Sequence, residues 1–312
     1  MLDKKDQIIF ENLTHNCRIS TTKLSKLTKL SQSTVVYRIQ RLEKEGYISG
    51  YDAILQWDML PLPVELFFVQ IPINKLKSFE QEITKNKAVT GLFHLLHKMN
   101  YALLTFLTDK ERKQLIKYFE QIAITFETHV MSKETFIPFS VYDIPIKMKN
   151  KPVKRPKKID LDEKDVKIVT VLGHGGGRDS MLELARKTKL TYDVVMYRFK
   201  KLQKQGFFPL FLAQPSRTKF HTQVDMLLIK TKNTSYAQAL QIFEKAKKIP
   251  YLLELEQGTF FTQIFAKTFE EYKQVLEIIA DTLGDNLLDW EVYNVKDWMF
   301  VNRYPLEKIV RK

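Results

Sequence analysis

The chain has 312 residues, 44% hydrophobic and 12% aromatic, with one cysteine and a formal net charge of +14. That composition excludes a largely disordered chain, and the lone Cys17 excludes an intrachain disulfide or a cysteine-rich zinc site. Every long apolar run is interrupted and the N-terminus lacks the apolar core of a signal peptide, so the expectation is a globular, cytoplasmic protein of more than one domain, without membrane contact.

Leu2, Ile9, Phe10 and Leu13 keep helical spacing and predict a first helix that closes at Arg18-Ile19-Ser20. Ser20 is placed to cap a second, short helix through Leu27. After the turn Thr28-Lys29-Leu30, Ser31 can cap a third helix running to Lys44 or Glu45, which Gly46 would end in the left-handed conformation. On the third helix Val35, Ile39 and Leu42 share an inner face, while Ser33, Tyr37, Gln40, Arg41 and Lys44 face outward. Two short helices around a tight turn, the second longer and basic, describe a helix-turn-helix.

From Val64 the pattern changes. VELFFVQIPI predicts a strand, KLKSFEQEITKN a helix, VTGLFHLLHK and NYALLTFLTD two strands around a turn near Lys98, KERKQLIKYFEQI a helix, and HVMSKETFIPFSVYDI a closing strand. The basic linker KMKNKPVKRPKK then runs from Lys147 to Lys158, and the order begins again.

Arg178 to Phe208 aligns without gaps on Arg18 to Ile48, 160 residues earlier, with 12 identities in 31 positions. Ser180 and Glu183 have the capping-box spacing. Val195, Phe199 and Leu202 form the inner face of the repeated third helix, and Asp193, Tyr197, Lys200, Lys201 and Lys204 the outer one. VDMLLIKTK, SYAQALQIFEKAKK, YLLELEQ, FFTQIFAKT, FEEYKQVLEIIADTL and LLDWEVYNVKDWMF repeat strand, helix, strand, strand, helix, strand. The net charge is concentrated, with +6 in residues 147–160 and +4 in 161–213 against +1 or +2 in each other segment.

A basic outer face behind a turn suits the major groove, with N-terminal residues near base edges and flanking cations on phosphates. The candidate DNA contacts are therefore Ser31, Gln32, Ser33, Thr34, Tyr37, Arg38, Arg41 and Lys44 in the first copy, and Tyr192, Tyr197, Arg198, Lys201 and Lys204 in the second. Arg38 and Arg198 have a packing role open to them as well, bridging to Asp6 and Asp165. Asp193 stands where the first copy has Ser33, so the two copies are not expected to read the same half-site.

The run Leu2-Asp3, Asp6, Ile9-Phe10, Leu13, Arg18-Ile19-Ser20, Leu24-Ser25, Leu30-Ser31, Ser33-Thr34-Val35, Arg38-Ile39, Leu42-Glu43, Glu45-Gly46, Ile48 and Gly50-Tyr51 resembles the DNA-binding domain of the Lrp/AsnC (feast/famine) transcription regulators. The resemblance implies an α+β fold, in which a three-helix winged helix-turn-helix domain is followed by a βαββαβ ferredoxin-like effector and dimerisation domain, here as a tandem repeat. The implied boundaries are 1–60 and 61–146 for the first copy, 147–160 for the linker, and 161–213 and 214–312 for the second. It also implies a sequence-specific regulator whose partner is double-stranded DNA. An amino acid or other small effector would bind at the turn between the second and third strands of the effector domain. Lys98, Asn100 and Tyr101 stand there in one copy, and Gly258 and Phe260 in the other. The aspartate usual in the family at this turn is missing from both copies. The two helix-turn-helix modules are expected to pair within the chain as a pseudo-dimer on an imperfect palindrome, with homo-oligomers the alternative and the linker adding phosphate contacts.

Siroheme decarboxylases resemble the same two-part fold and occur as fused pairs, which draws attention to His94 and His97. Their odd separation sends them to opposite faces of a strand, and YLLELEQGTFF has no histidine. The HGGG at His174–Gly177 has no G-x-S-x-G elbow to serve and is expected to be a flexible turn. The scattered histidines suggest no metal site, and no phosphate-binding loop occurs. The chain is thus expected not to be an enzyme and to need no cofactor. The alternatives are an interaction partner of related regulators without DNA binding, or a fused decarboxylase-like enzyme.

Overall fold

The computed structural model describes residues 2–137, 142, 158–301 and 306. In chain order the elements are α1 (Lys4–His15), α2 (Thr21–Thr28), α3 (Gln32–Lys44), β1 (Ile48–Ile54), β2 (Val64–Gln70), α4 (Leu76–Ile83), β3 (Val89–Leu95), β4 (Tyr101–Phe106), α5 (Asp109–Ile122), β5 (Thr125–Val130) and β6 (Lys133–Phe136). Then come α6 (Glu163–Gly173), α7 (Met181–Thr188), α8 (Tyr192–Lys204), β7 (Leu210–Pro215), α9 (Arg217–Phe220), β8 (Gln223–Thr231), α10 (Tyr236–Lys245), β9 (Tyr251–Glu254), β10 (Thr259–Ala266), α11 (Phe269–Leu283) and β11 (Leu287–Phe300). The α+β tandem is present. Most of the basic linker lies outside the described residues.

The chain divides into two compact units, and they are not its two halves. One unit holds both helix-turn-helix modules, up to Gln56 and, among the described residues, from 158 to Thr222; the other holds both βαββαβ modules, from Trp57 to Ile137 and onward from Gln223. The short helix α9, which the sequence places with the second effector domain, belongs to the first unit, where Phe220 packs on Phe10 with ring centroids 4.7 Å apart.

In the helix-turn-helix unit the caps form where the sequence puts them. Ser20 accepts from the Lys23 N–H and Ser31 from the Thr34 N–H, and Ser180 with Glu183 makes a complete capping box. Lys29 and Lys189 take left-handed φ of 56° and 57° at the turn, and Gly46 closes α3 at φ +73°. Val35, Ile39 and Leu42 of α3, and Val195, Phe199 and Leu202 of α8, are buried as expected. β1 and β7 then pair antiparallel, with Tyr51 opposite Ala213 and Ala53 opposite Phe211. Since Tyr51 and Phe211 are equivalent in the repeat, as are Ala53 and Ala213, a pseudo-two-fold axis passes through the remaining pair, Asp52 and Leu212.

In the second unit the strands run β5-β2-β4-β3-β11-β8-β10-β9-β6 in one nine-stranded sheet. Alternate residues of β2 and β4, such as Phe67, Val69 and Leu103, pack under α4 and α5 with Phe79, Ile83, Leu115 and Phe119. Leu227, Ile229, Phe260 and Ile264 do the same under α10 and α11 with Ile242, Phe243, Val275 and Ile279. The segment HVMSKETF is not one continuous strand. β5 pairs with its own β2, the chain breaks at Met131-Ser132, and β6 pairs with β9 of the other module. β11 does likewise without a break in the strand, pairing with β8 as far as Asn294 and with β3 from Val295, with a register shift between Val295 and Asp297. Each module thus ends by crossing onto the other's sheet.

Candidate nucleic-acid interface

The outer faces of α3 and α8 carry Tyr37 and Tyr197, 62% and 69% exposed, with Gln32, Ser33, Gln40 and Lys44 on one helix and Tyr192, Asp193, Lys200, Lys201 and Lys204 on the other exposed as well. Ser31, Ser33 and Thr34 are linked by hydroxyl contacts of 2.9 and 2.7 Å centred on Ser31. In the second copy Thr191 makes no side-chain cap, and Asp193 sits exposed in the first turn of α8.

The arginines behave differently. Arg38 donates to Asp3 at 2.6 Å and to Asp6 at 2.8 Å, and Arg198 contacts Asp162 at 2.7 Å and Asp165 at 2.9 Å, leaving the two side chains only 19% and 18% exposed. The packing alternative raised for both from sequence is the one formed, because each guanidinium ties the third helix of its module to the N-terminus of the first. Asp3 is held at about 2, chiefly by its hydrogen bond from Arg38. Arg41, assigned to the outer face, instead turns back to Asp6, with Glu45 3.9 Å away. The reason is local: Asp6 is buried, and its second carboxylate oxygen needs a cation. Lys201 occupies the same position in α8 and has no ion pair among the described residues.

Residues not singled out from sequence join the two modules. Arg18 donates to the carbonyls of Gly177 at 2.7 Å and Asp179 at 2.9 Å and lies over the rings of Phe199 and Phe211. Its repeat equivalent, Arg178, donates to the carbonyl of Cys17 and lies over Tyr51. Cys17 and Gly177 are themselves equivalent, so the contact is reciprocal, as in a two-fold dimer interface. Burial pushes the Cys17 thiol up to about 12, so no thiolate forms there near neutral pH. The HGGG segment is not a flexible turn. A Cβ on Gly177 would come within 2.6–2.8 Å of the Asp52 backbone, and the Gly175 N–H donates to the Asp52 side chain at 3.1 Å, so β1 passes directly against these glycines. The identity of Arg18 and Arg178 in the repeat was the available signal.

The effector turns are closed by their own polar groups. The Asn100 amide pairs with both N–H and C=O of Ile71 at 2.8 Å, and the Tyr101 hydroxyl donates to Glu80 at 2.6 Å. The Gly258 carbonyl, on a residue at φ +79°, accepts from the N–H and the hydroxyl of Thr231, the repeat equivalent of Ile71, and a Cβ there would meet the Thr231 carbonyl at 2.8 Å. Phe260 is corrected as an effector contact: it is 1% exposed and lies in the core under α10 and α11. Of the five residues only Lys98 is exposed. His94 Nδ1 lies 2.6 Å from Asp297, whereas His97 packs edge-on against Tyr293, so the two rings have separate surroundings. Among the described residues no cluster of His, Cys, Asp or Glu could hold a metal ion, and no helix is long and apolar enough to cross a membrane.

Residues 2–49 match the family model described as winged helix-turn-helix DNA-binding. An uncharacterised HTH-type transcriptional regulator of Pyrococcus horikoshii is 30% identical to 36% of this chain, a match that spans 83% of that protein. The leucine-responsive regulatory protein of Escherichia coli is 31% identical, over 35% of this chain and 68% of its own length. The chain belongs to the Lrp/AsnC family. It is an Lrp/AsnC protein carrying two helix-turn-helix modules. Among solved structures, the siroheme decarboxylase NirDL shares its fold over 95% of this chain and 92% of that one, with a TM-score of 0.63 and 11% identity. The same decarboxylase in complex with an iron-uroporphyrin III analogue gives 0.60 and 12%. This corrects the expectation that the chain is not an enzyme: an enzyme shares the Lrp/AsnC tandem over nearly its full length, so the fold does not set this protein apart from enzymes.

Proposed function

We propose that this Lrp/AsnC chain is a sequence-specific transcription regulator that supplies both DNA-binding modules of a regulator dimer from one polypeptide. The observation that carries the reading is the reciprocal clasp of Arg18 and Arg178 about the axis at Asp52 and Leu212, which pairs the modules while leaving the outer faces of α3 and α8 exposed. Two-fold-related modules suit an imperfect palindrome, since half-site symmetry mirrors protein symmetry. Retardation of genomic fragments at low salt, followed by the mass of the complex on the selected fragment, tests it. The expected result is one chain per operator; no retardation at any salt would refute DNA binding, and two chains per operator would refute the intramolecular pair.

A second reading rests on one observation, the fold shared with NirDL along the whole chain. It makes the protein an enzyme acting on a siroheme-like tetrapyrrole. Titration with siroheme under anaerobic conditions, followed by its visible absorption, supports that reading if the bands shift stoichiometrically and the product loses carboxyl mass, and discards it if the spectrum is that of free siroheme.

A further inference from the structure

The two recognition helices are equivalent in backbone and inner face, yet their outer faces are built for different tasks. Between residues 40 and 45, at the C-terminal end of α3, two cations (Arg41, Lys44) meet two acids (Glu43, Glu45). Between 200 and 205 in α8, three lysines (Lys200, Lys201, Lys204) meet none, because both acids are replaced by Gln203 and Gln205. The structure widens the contrast. Arg41 is committed to Asp6 and approached by Glu45, and Glu43 accepts from Tyr51, so Lys44 is the one cation of α3 without an ion pair among the described residues. Lys200, Lys201 and Lys204 are all exposed and engage no ion pair there.

The N-terminal ends differ in the opposite sense. α3 offers the exposed Gln32 amide and Ser33 hydroxyl, groups that both donate and accept and so can match base edges. At the same positions α8 offers Tyr192 and Asp193. An exposed carboxylate only accepts hydrogen bonds, and it repels any phosphate that approaches.

We infer that the modules divide the work on duplex DNA: α8 grips phosphates through Lys200, Lys201 and Lys204 with little regard to sequence, and α3 reads base edges through Gln32 and Ser33. The operator is then one defined half-site beside a tract of loose sequence. This inference rests on the DNA-binding reading above.

The test is affinity by fluorescence anisotropy against salt, for a selected operator duplex and a random duplex of equal length. The variants are K200Q/K201Q/K204Q and Q32A/S33A in the full chain, each checked by circular dichroism. Each lost phosphate contact removes about 0.9 from the log–log salt slope, so the triple variant is expected to lose roughly 2 to 3 and to weaken operator and random DNA alike. Q32A/S33A is expected to keep its slope and lose roughly tenfold on the operator only. Equal slopes for the triple variant and wild type, or equal losses on both duplexes for Q32A/S33A, would overturn the division of work. Absence of binding by the wild-type chain to either duplex would instead overturn the underlying reading, so the two failures are distinguishable.

Discussion

The two helix-turn-helix modules share the arginine clasp that joins them and differ most where they face outward. Arg18 and Arg178 make the same reach into the opposite module, and the Tyr37-Arg38 and Tyr197-Arg198 pairs are kept with the same acidic anchors. Meanwhile Ser33 has become Asp193, Arg41 Lys201, and Glu43 and Glu45 glutamines. In a homodimer one outer face has to serve both half-sites. Two copies in one chain lift that constraint: the outer faces differ, and so does the ribbon centre, where Asp52 meets Leu212, while the arginine clasp is common to both copies.

Breaking the clasp should give the largest effect. Arg18→Ala combined with Arg178→Ala removes three charge-assisted bonds to carbonyls and three ring contacts, and is expected to cost about 4 kcal/mol in chemical denaturation, Arg18→Ala alone accounting for more than half. Asp6→Asn should follow at about 3 kcal/mol, since it weakens two ion pairs at a buried carboxylate, whereas Asp165→Asn weakens only one and should cost less. Asp6→Asn also frees Arg41, so its DNA salt slope should steepen by about 0.9 while that of Asp165→Asn does not.

Gly177→Ala and Cys17→Ala compare equivalent positions. The first drives a methyl into the Asp52 backbone and should destabilise by about 2 kcal/mol; the second deletes a buried thiol and should cost about 1 kcal/mol. Melting temperatures of the two variants would rank them.

The smallest effect contrasts the modules of the second unit. His129 on β5 and Tyr293 on β11 hold equivalent sheet positions and both pack on Phe68. The Tyr293 hydroxyl donates to Glu291, whereas among the described residues neither nitrogen of His129 has a hydrogen bond, the Glu127 carboxylate standing 3.9 Å from Nε2. Burial is the main cause that lowers the His129 pKa below 6.5, so the folded state favours the neutral ring. That contribution is complete above pH 6.5 and is lost as pH falls through the lower folded value. Replacing His129 with Phe should flatten the fall of stability below pH 6.5. An unchanged profile would assign the acid sensitivity elsewhere.

Much of this was legible locally. Period 3.6 located the inner faces of α3 and α8, and Ser20, Ser31 and Ser180 capped where their positions said they should. The Arg38–Asp6 and Arg198–Asp165 bridges were visible as alternatives, because helix ends within one module lie close in sequence. What escaped was non-local. That Gly177 must be glycine depends on β1, more than 120 residues away, and the break at Met131-Ser132 depends on β9 of the other module. Alternation along HVMSKETF cannot tell which neighbour a strand will choose. Arg41 was misplaced because its direction is set by the unfilled oxygen of Asp6, which helical phase does not reveal.

The pair on the axis also decides who may partner whom. Asp52 is buried opposite Leu212, and it is served by the Gln214 side chain and the Gly175 N–H, both from the second copy. If first copies from two chains met across the same ribbon, two carboxylates would face each other in a buried position, with Ile54 where the Gln214 amide now serves Asp52. Such a pairing would carry a desolvation and repulsion cost that the Asp52–Leu212 pair avoids. A second chain would match this ribbon as well only if it brought an apolar residue to the centre and a donor beside it.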